Sequence, residues 1–143
     1  MSASLTHEQI NQLMQTALKA RVRAYAPYSH YLVGAALLLE SGEVIEGVNV
    51  ENASYGLCIC AERSAVVTAV TQGKKDFKAM AIATSSIPAG APCGACRQVL
   101  SEFAPSLQLI LGNEHGEIVE TTLAEIFPMQ FSKEQLSSGV KSE

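Results

Sequence analysis

Residues 60–84, CAERSAVVTAVTQGKKDFKAMAIAT, and residues 92–111, PCGACRQVLSEFAPSLQLIL, decide the fold. From about Cys60 to Thr71 the chain carries helix-compatible residues, and Gly73 supplies the stop. Phe77 to Thr84 (FKAMAIAT) is apolar over a strand's length, the pattern of a strand buried on both faces. The second stretch repeats this order, with a helix over Gly94 to Phe103 and a strand over Leu107 to Leu111. Strands joined through a crossover helix pair in parallel.

The flanking sequence adds antiparallel partners. Thr6 and Gln9 make a capping box, and Ile10, Leu13, Met14, Ala17, Leu18 and Arg21-Val22 form a helical apolar stripe ending near Arg23. Tyr25 to Ser29 reads as loop. Leu32 to Glu40 and Val44 to Val50 are strand-compatible runs around Ser41-Gly42, a hairpin signal. Asn49 to Ile59 and Ser85 to Pro92 are loop-like. Ile118 to Thr121 is a further strand across the turn Asn113-Glu114-His115-Gly116, and a short helix over Leu123 to Phe127 leads to a polar tail. The order α-β-β-α-β-α-β-β-α predicts a three-layer α/β/α domain over residues 1–143, with a mixed five-stranded sheet and helices on both faces.

The bulk composition excludes several classes of function. The chain has 143 residues, 48% hydrophobic and 17% charged, with formal net charge −4. No basic run exceeds Lys74-Lys75, so there is no footprint for nucleic acid. The substrate is expected to be small and nearly uncharged. The longest apolar stretch, Val33 to Leu39, is too short to span a bilayer, and the first residues show no secretory pattern. A cytoplasmic location is expected, where four cysteines serve as metal ligands or free thiols rather than disulfides.

The cysteines carry the chemistry. Cys93 and Cys96, two residues apart at a helix start, can aim both sulfurs at one ion, and Cys60 must join them through the fold. Three ligands with a carboxylate, Glu62, beside the open position match a catalytic zinc site; structural sites close with four. Zinc lowers the pKa of water from about 16 toward roughly 7, and Glu62 can take and return the proton. Arg63 and the two helix N-termini can offset the thiolate charge. Cys58 matches no role and reads as a small buried hydrophobe, and His30 reads as a loop residue rather than a fourth ligand.

With these motifs in place, the chain resembles the short, homotetrameric cytidine deaminases over nearly its whole length. The resemblance rests on AYAPYSHYLVGAALL (24–38), GVNVENASYGLCICAERSAV (47–66) and PCGACRQVLSEF (92–103). It implies one zinc per subunit on Cys60, Cys93 and Cys96, and hydrolysis of cytidine and 2′-deoxycytidine to the uridine products in pyrimidine salvage. Water would attack C4 of the ring while Glu62 moves protons to N3 and the leaving amino group. It also implies that Asn49 and Glu51 bind the ribose 3′ hydroxyl, that the Ala61 backbone meets the base carbonyl, and that Arg63 supports the thiolates. Tyr31 stands where the family usually has a phenylalanine near the base, so its hydroxyl needs a partner. Tyr55 and Phe131 match aromatics that reach a neighbouring subunit's site in a homotetramer.

Other readings stay open on the residues alone. A deaminase of blasticidin-type nucleosides shares the Cys-Ala-Glu and Pro-Cys-x-x-Cys elements. A polynucleotide deaminase would need a basic groove. A structural zinc module predicts a fourth protein ligand, and a redox Cys-x-x-Cys protein leaves Cys60 and Glu62 unexplained.

Overall fold

The computed structural model describes residues 4–141. Its first helix, α1 (His7–Arg21), starts on Thr6, whose side chain accepts from the Gln9 N–H while the Gln9 side chain accepts from the Thr6 N–H. The helix stops at Arg21, two residues short of the sequence expectation, and Val22 is exposed rather than part of the buried stripe. Next come β1 (Gly34–Leu39), β2 (Val44–Val48), a 3₁₀ turn at Tyr55–Leu57, α2 (Ala61–Thr71), β3 (Phe77–Thr84) and α3 (Gly94–Phe103). The chain ends with β4 (Gln108–Asn113), β5 (Ile118–Thr122), α4 (Leu123–Ile126) and α5 (Lys133–Lys141).

The anticipated mixed five-stranded sheet is present, in the order β2-β1-β3-β4-β5. Only the β3–β4 pair, the one spanned by α3, runs parallel. Alternation along the strands sorts side chains into two cores. Leu37 and Leu39 of β1, Met80 and Ile82 of β3 and Leu109 and Leu111 of β4 face α2, α3 and α4. Ala36, Ala79, Ala81, Ala83 and Ile110 face α1 instead. Small residues on that second face let α1 lie close: a Cβ on Gly34 would sit 2.1 Å from the Ala17 carbonyl oxygen. On the first face Gly47 does the same for α2, with a Cβ there only 2.4 Å from the Ala61 carbonyl oxygen. This glycine therefore sets how closely the Cys60-bearing helix start approaches the sheet.

Three local expectations are corrected. β1 and β2 are shorter than read, because Val50 leaves the hairpin to bridge Tyr25 and Ile59. The region beyond α4 holds the helix α5 rather than only a polar tail. Its signal was Ser132-Lys133-Glu134-Gln135: the Gln135 N–H donates to Ser132 Oγ and the Ser132 N–H to Gln135 Oε1, a second capping box. Cys58 is half-buried rather than buried; its sulfur accepts from the Asn52 N–H at 3.3 Å and its thiol donates back to the Asn52 carbonyl, closing that loop. No helix among the described residues is long and apolar enough to cross a membrane.

Candidate active site

Cys60 and Cys93 are the N-cap residues of α2 and α3, both in extended backbone conformation. Neither side chain caps its own helix, so both sulfurs are free to turn toward each other. Cys96, in the first turn of α3, joins them from a fully buried position. The Cys60–Cys93 sulfurs lie 3.9 Å apart and the Cys93–Cys96 sulfurs 3.4 Å apart. All three fall within 4.8 Å of one another. Three thiolates bound tetrahedrally to zinc, with Zn–S bonds of about 2.3 Å, would sit about 3.8 Å apart, so the trio already has the spacing of a ligand set.

The electrostatics fit a dication. Hydrogen bonding with Cys96 and then with Arg63 pulls the Cys60 thiol down to about 5, against the cost of its burial. The shared bond with Cys60, together with burial, pushes Cys96 well above the usual thiol range. One thiolate thus suppresses the next, and a cation of charge two is what three thiolates at this spacing call for. Arg63 donates Nη2 to Cys60 Sγ at 3.4 Å, while its Nε is buried without a hydrogen-bond partner. Soft sulfur donors favour zinc over harder divalent ions. No fourth His, Cys, Asp or Glu joins the group among the described residues, which leaves a structural zinc module without its closing ligand.

Glu62, at the second position of α2, is only 5% exposed. Burial, reinforced by the Cys60 charge, pushes its carboxyl up to about 7, with Arg63 pulling the other way. A carboxyl poised there can both give and accept a proton near neutral pH. Glu62, Cys60 and Cys93 line one cavity of about 570 Å³, within the range of small-molecule sites. Thr84, at the carboxyl end of β3, lines it too, as expected for a ligand site in an α/β sheet. A larger cleft of about 690 Å³ near Phe103 and Glu125 contains none of these groups.

The structure brings most of the sequence-derived residues to this cavity. Tyr31, Asn49, Glu51, Tyr55 and Ala61 all line it. Asn49 is set by the 28–33 loop: Oδ1 accepts from the Val33 N–H and Nδ2 donates to the Tyr31 carbonyl, both at 2.8 Å. Glu51 accepts from the Tyr28 and Ser29 N–H groups and from the Ser29 hydroxyl; that hydroxyl bond is the main reason its carboxyl lies below the usual range. The Tyr55 ring meets Tyr28 edge-on at 6.0 Å. Phe131 does not line the cavity and is exposed. His30 is an exposed loop residue with φ 59° and takes no part in the thiol group.

Sequence reading missed the residues that hold the Cys93 loop in place. Arg97 donates to the Pro92 carbonyl at 2.8 Å and to the Ile126 carbonyl at 2.6 Å, tying the loop before Cys93 to α4. Buried Asn113 donates to the Ser86 carbonyl, and Glu117 accepts from the Ala89 N–H. Both come well after the cysteine motif in the sequence, at and beyond the end of β4, so no pattern local to the motif marks them.

Residues 7–111 match the family described as the cytidine and deoxycytidylate deaminase zinc-binding region. The chain belongs to this family. Zinc is accordingly its metal, and the chain is a hydrolase of the deaminase class. It is 46% identical over 126 residues to a cytidine deaminase of Halalkalibacterium halodurans, covering 87% of this chain and 96% of the relative. A blasticidin-S deaminase of Bacillus cereus is 31% identical over 130 residues, covering 85% of this chain and 91% of the relative. The crystal structure of a cytidine deaminase from Burkholderia pseudomallei superposes with TM-score 0.83 at 45% identity, covering 89% of this chain and all of that one.

Proposed function

We propose that this deaminase hydrolyses cytidine and 2′-deoxycytidine to uridine and 2′-deoxyuridine with release of ammonia, within pyrimidine salvage. The observation that carries the reading is geometric: the Cys60, Cys93 and Cys96 sulfurs lie within 4.8 Å of one another, and the buried carboxyl of Glu62 lines the cavity beside them. Cys60, Cys93 and Cys96 would hold one zinc, which when bound supplies the Lewis acidity that makes water a nucleophile near neutral pH. Glu62 takes one proton from the attacking water and gives it to ring N3, then takes the second proton from the same oxygen and delivers it to the amino group leaving C4 as ammonia, ending as it began. Arg63 offsets the thiolate charge. The first N–H groups of α2, at Ala61, offer donors to the base carbonyl. Asn49 and Glu51 receive the ribose hydroxyls, and the Glu51 carboxylate disfavours a phosphate in that place.

The domain is taken to span residues 1–143. Four free cysteines and a thiolate ligand set suit the reducing cytoplasm. Beside the cavity, Tyr25, Tyr55 and Leu57 are 55%, 74% and 70% exposed, an apolar surface that a second copy of the chain would cover. This supports self-association, and the resemblance to the homotetrameric deaminases points to a tetramer with shared sites, in which Phe131 serves a neighbour's cavity. Sedimentation velocity should give a tetramer; a fully active monomer would refute that part.

The function is tested by ammonia release from cytidine, deoxycytidine, cytidine monophosphate and blasticidin S, with zinc content measured. Turnover of the two free nucleosides, lost in zinc-replete Glu62→Gln, is expected. Turnover of blasticidin S alone would overturn the substrate, and activity in Glu62→Gln would overturn the mechanism.

A further inference from the structure

Tyr31 holds its place in the cavity wall from both ends. Its carbonyl accepts from Asn49 Nδ2 at 2.8 Å, and its N–H donates to Ser29 Oγ at 3.0 Å. Tyr31 is 40% exposed, so packing alone leaves the ring loosely held. Its hydroxyl, however, lies 2.8 Å from Ser86 Oγ, 55 residues along the chain. Ser86 itself does not line the cavity, although Tyr31 and Thr84 on either side of it in this cluster do. It is itself fixed: its carbonyl accepts from Asn113 Nδ2 at 3.0 Å, and its N–H donates to Thr84 Oγ1 at 3.2 Å.

Counting lone pairs and protons orders this cluster. Thr84 Oγ1 accepts from the N–H groups of Ser86 and Gly90, which fills both of its lone pairs. Its own proton therefore goes to Ser86 Oγ, 2.8 Å away. With both Thr84 lone pairs taken, the Tyr31 oxygen at 2.8 Å is the protein acceptor within reach of the Ser86 proton, and the relay is assigned in that direction. The relay Thr84 to Ser86 to Tyr31 satisfies each hydroxyl and leaves the phenolic proton unspent at the cavity wall.

We propose that Ser86 is a positioning residue for the deamination: it fixes the Tyr31 ring and orders its hydroxyl as a donor to an acceptor atom of the bound nucleoside. This rests on the nucleoside reading given above. Ser86 touches no reacting atom and acts only through Tyr31. The same bonds join Tyr31 to the 85–92 loop that carries Ala91 and leads to Cys93, so the wall and the ligand loop share one anchor at Asn113.

The test is a double-mutant cycle on Tyr31→Phe and Ser86→Ala, read as KM and kcat on cytidine with zinc content measured, and as calorimetric Kd for cytidine with each change also made in the inactive Glu62→Gln background. A net hydrogen bond of ordinary strength corresponds to about a 3- to 10-fold change in binding. Each single variant is expected to raise KM and Kd by that factor, with kcat within about twofold and zinc retained. The double variant should be no worse than the worse single one, because both changes break one linkage. Gly90→Ala supplies an independent variant that removes neither hydroxyl: its Cβ would lie 3.0 Å from the Tyr31 hydroxyl and 3.1 Å from Ser86 Oγ. It should raise KM in the same way. Unchanged KM in Ser86→Ala, multiplied effects in the double variant, or loss of zinc in place of a KM change each overturn the proposal while leaving the deaminase intact. A wild type that neither turns over nor binds cytidine overturns the nucleoside reading and this proposal with it.

Discussion

Burial of Glu62 has a thermodynamic signature that can be measured without substrate. Its carboxyl rises from 4.5 to about 7 in the folded, zinc-free chain. Between those values the folded state binds more protons at this group than the unfolded state does. Unfolding free energy therefore falls as pH rises from 4.5 and levels off above about 7. At about 1.4 kcal/mol per pH unit, the gap makes the ionised Glu62 cost about 3 kcal/mol at pH 8. Glu62→Gln removes the titration. Urea unfolding of reduced, chelator-treated wild type and variant, from pH 4 to 9 at one chain concentration, isolates this group as a difference. The variant should gain on the wild type as pH rises, approaching a plateau of about 3 kcal/mol. Zinc, by favouring the carboxylate, should move the crossing to lower pH. A difference that stays flat across the range would refute the claim that burial raises the proton affinity of Glu62 in the zinc-free chain.

Gly47→Ala should force α2 off the sheet, since its Cβ would lie 2.4 Å from the Ala61 carbonyl oxygen and 2.5 Å from the Ala65 nitrogen. The expected loss is about 1–3 kcal/mol by urea unfolding, with weaker zinc retention in chelator competition because Cys60 moves with the helix. Asn113→Ala removes a 2% exposed side chain that donates to Ser86 and Glu117 and accepts from the His115 and Glu117 N–H groups. Its cost should be about 2–4 kcal/mol in the same assay, most of it from backbone groups left unpaired. Thr6→Ala breaks the α1 capping box, and a thermal scan should show about 1 kcal/mol lost with no effect on zinc content.

Much of the fold was legible because its signals are local. The Thr6–Gln9 box, the glycine after α2 and the apolar run of β3 each declare an element within a few residues, and β3 and α3 fall where the sequence places them. The errors lie where tertiary contacts override local pattern. Val50 has strand character but bridges Tyr25 and Ile59, and Cys58 looked like a core hydrophobe until the Asn52 loop closed on it. The α5 helix had a local signal, the Ser132–Gln135 box, hidden in a polar stretch.

For the site, residue types and spacing determined the likeness in chemistry: a cysteine pair two residues apart, a third cysteine followed by a glutamate, and the family those motifs mark. Only the tertiary structure decided that Cys60 arrives 3.9 Å from Cys93, because that distance depends on how α2 and α3 pack on the sheet. It also decided that Glu62 is buried deeply enough to hold its proton near neutral pH, and that the Tyr31 hydroxyl finds Ser86 rather than water. A sequence can specify which groups are present and which of them share a turn. Proton affinity and the pairing of residues 55 positions apart depend on solvent exclusion and through-space distance, which exist only once the chain has closed on itself.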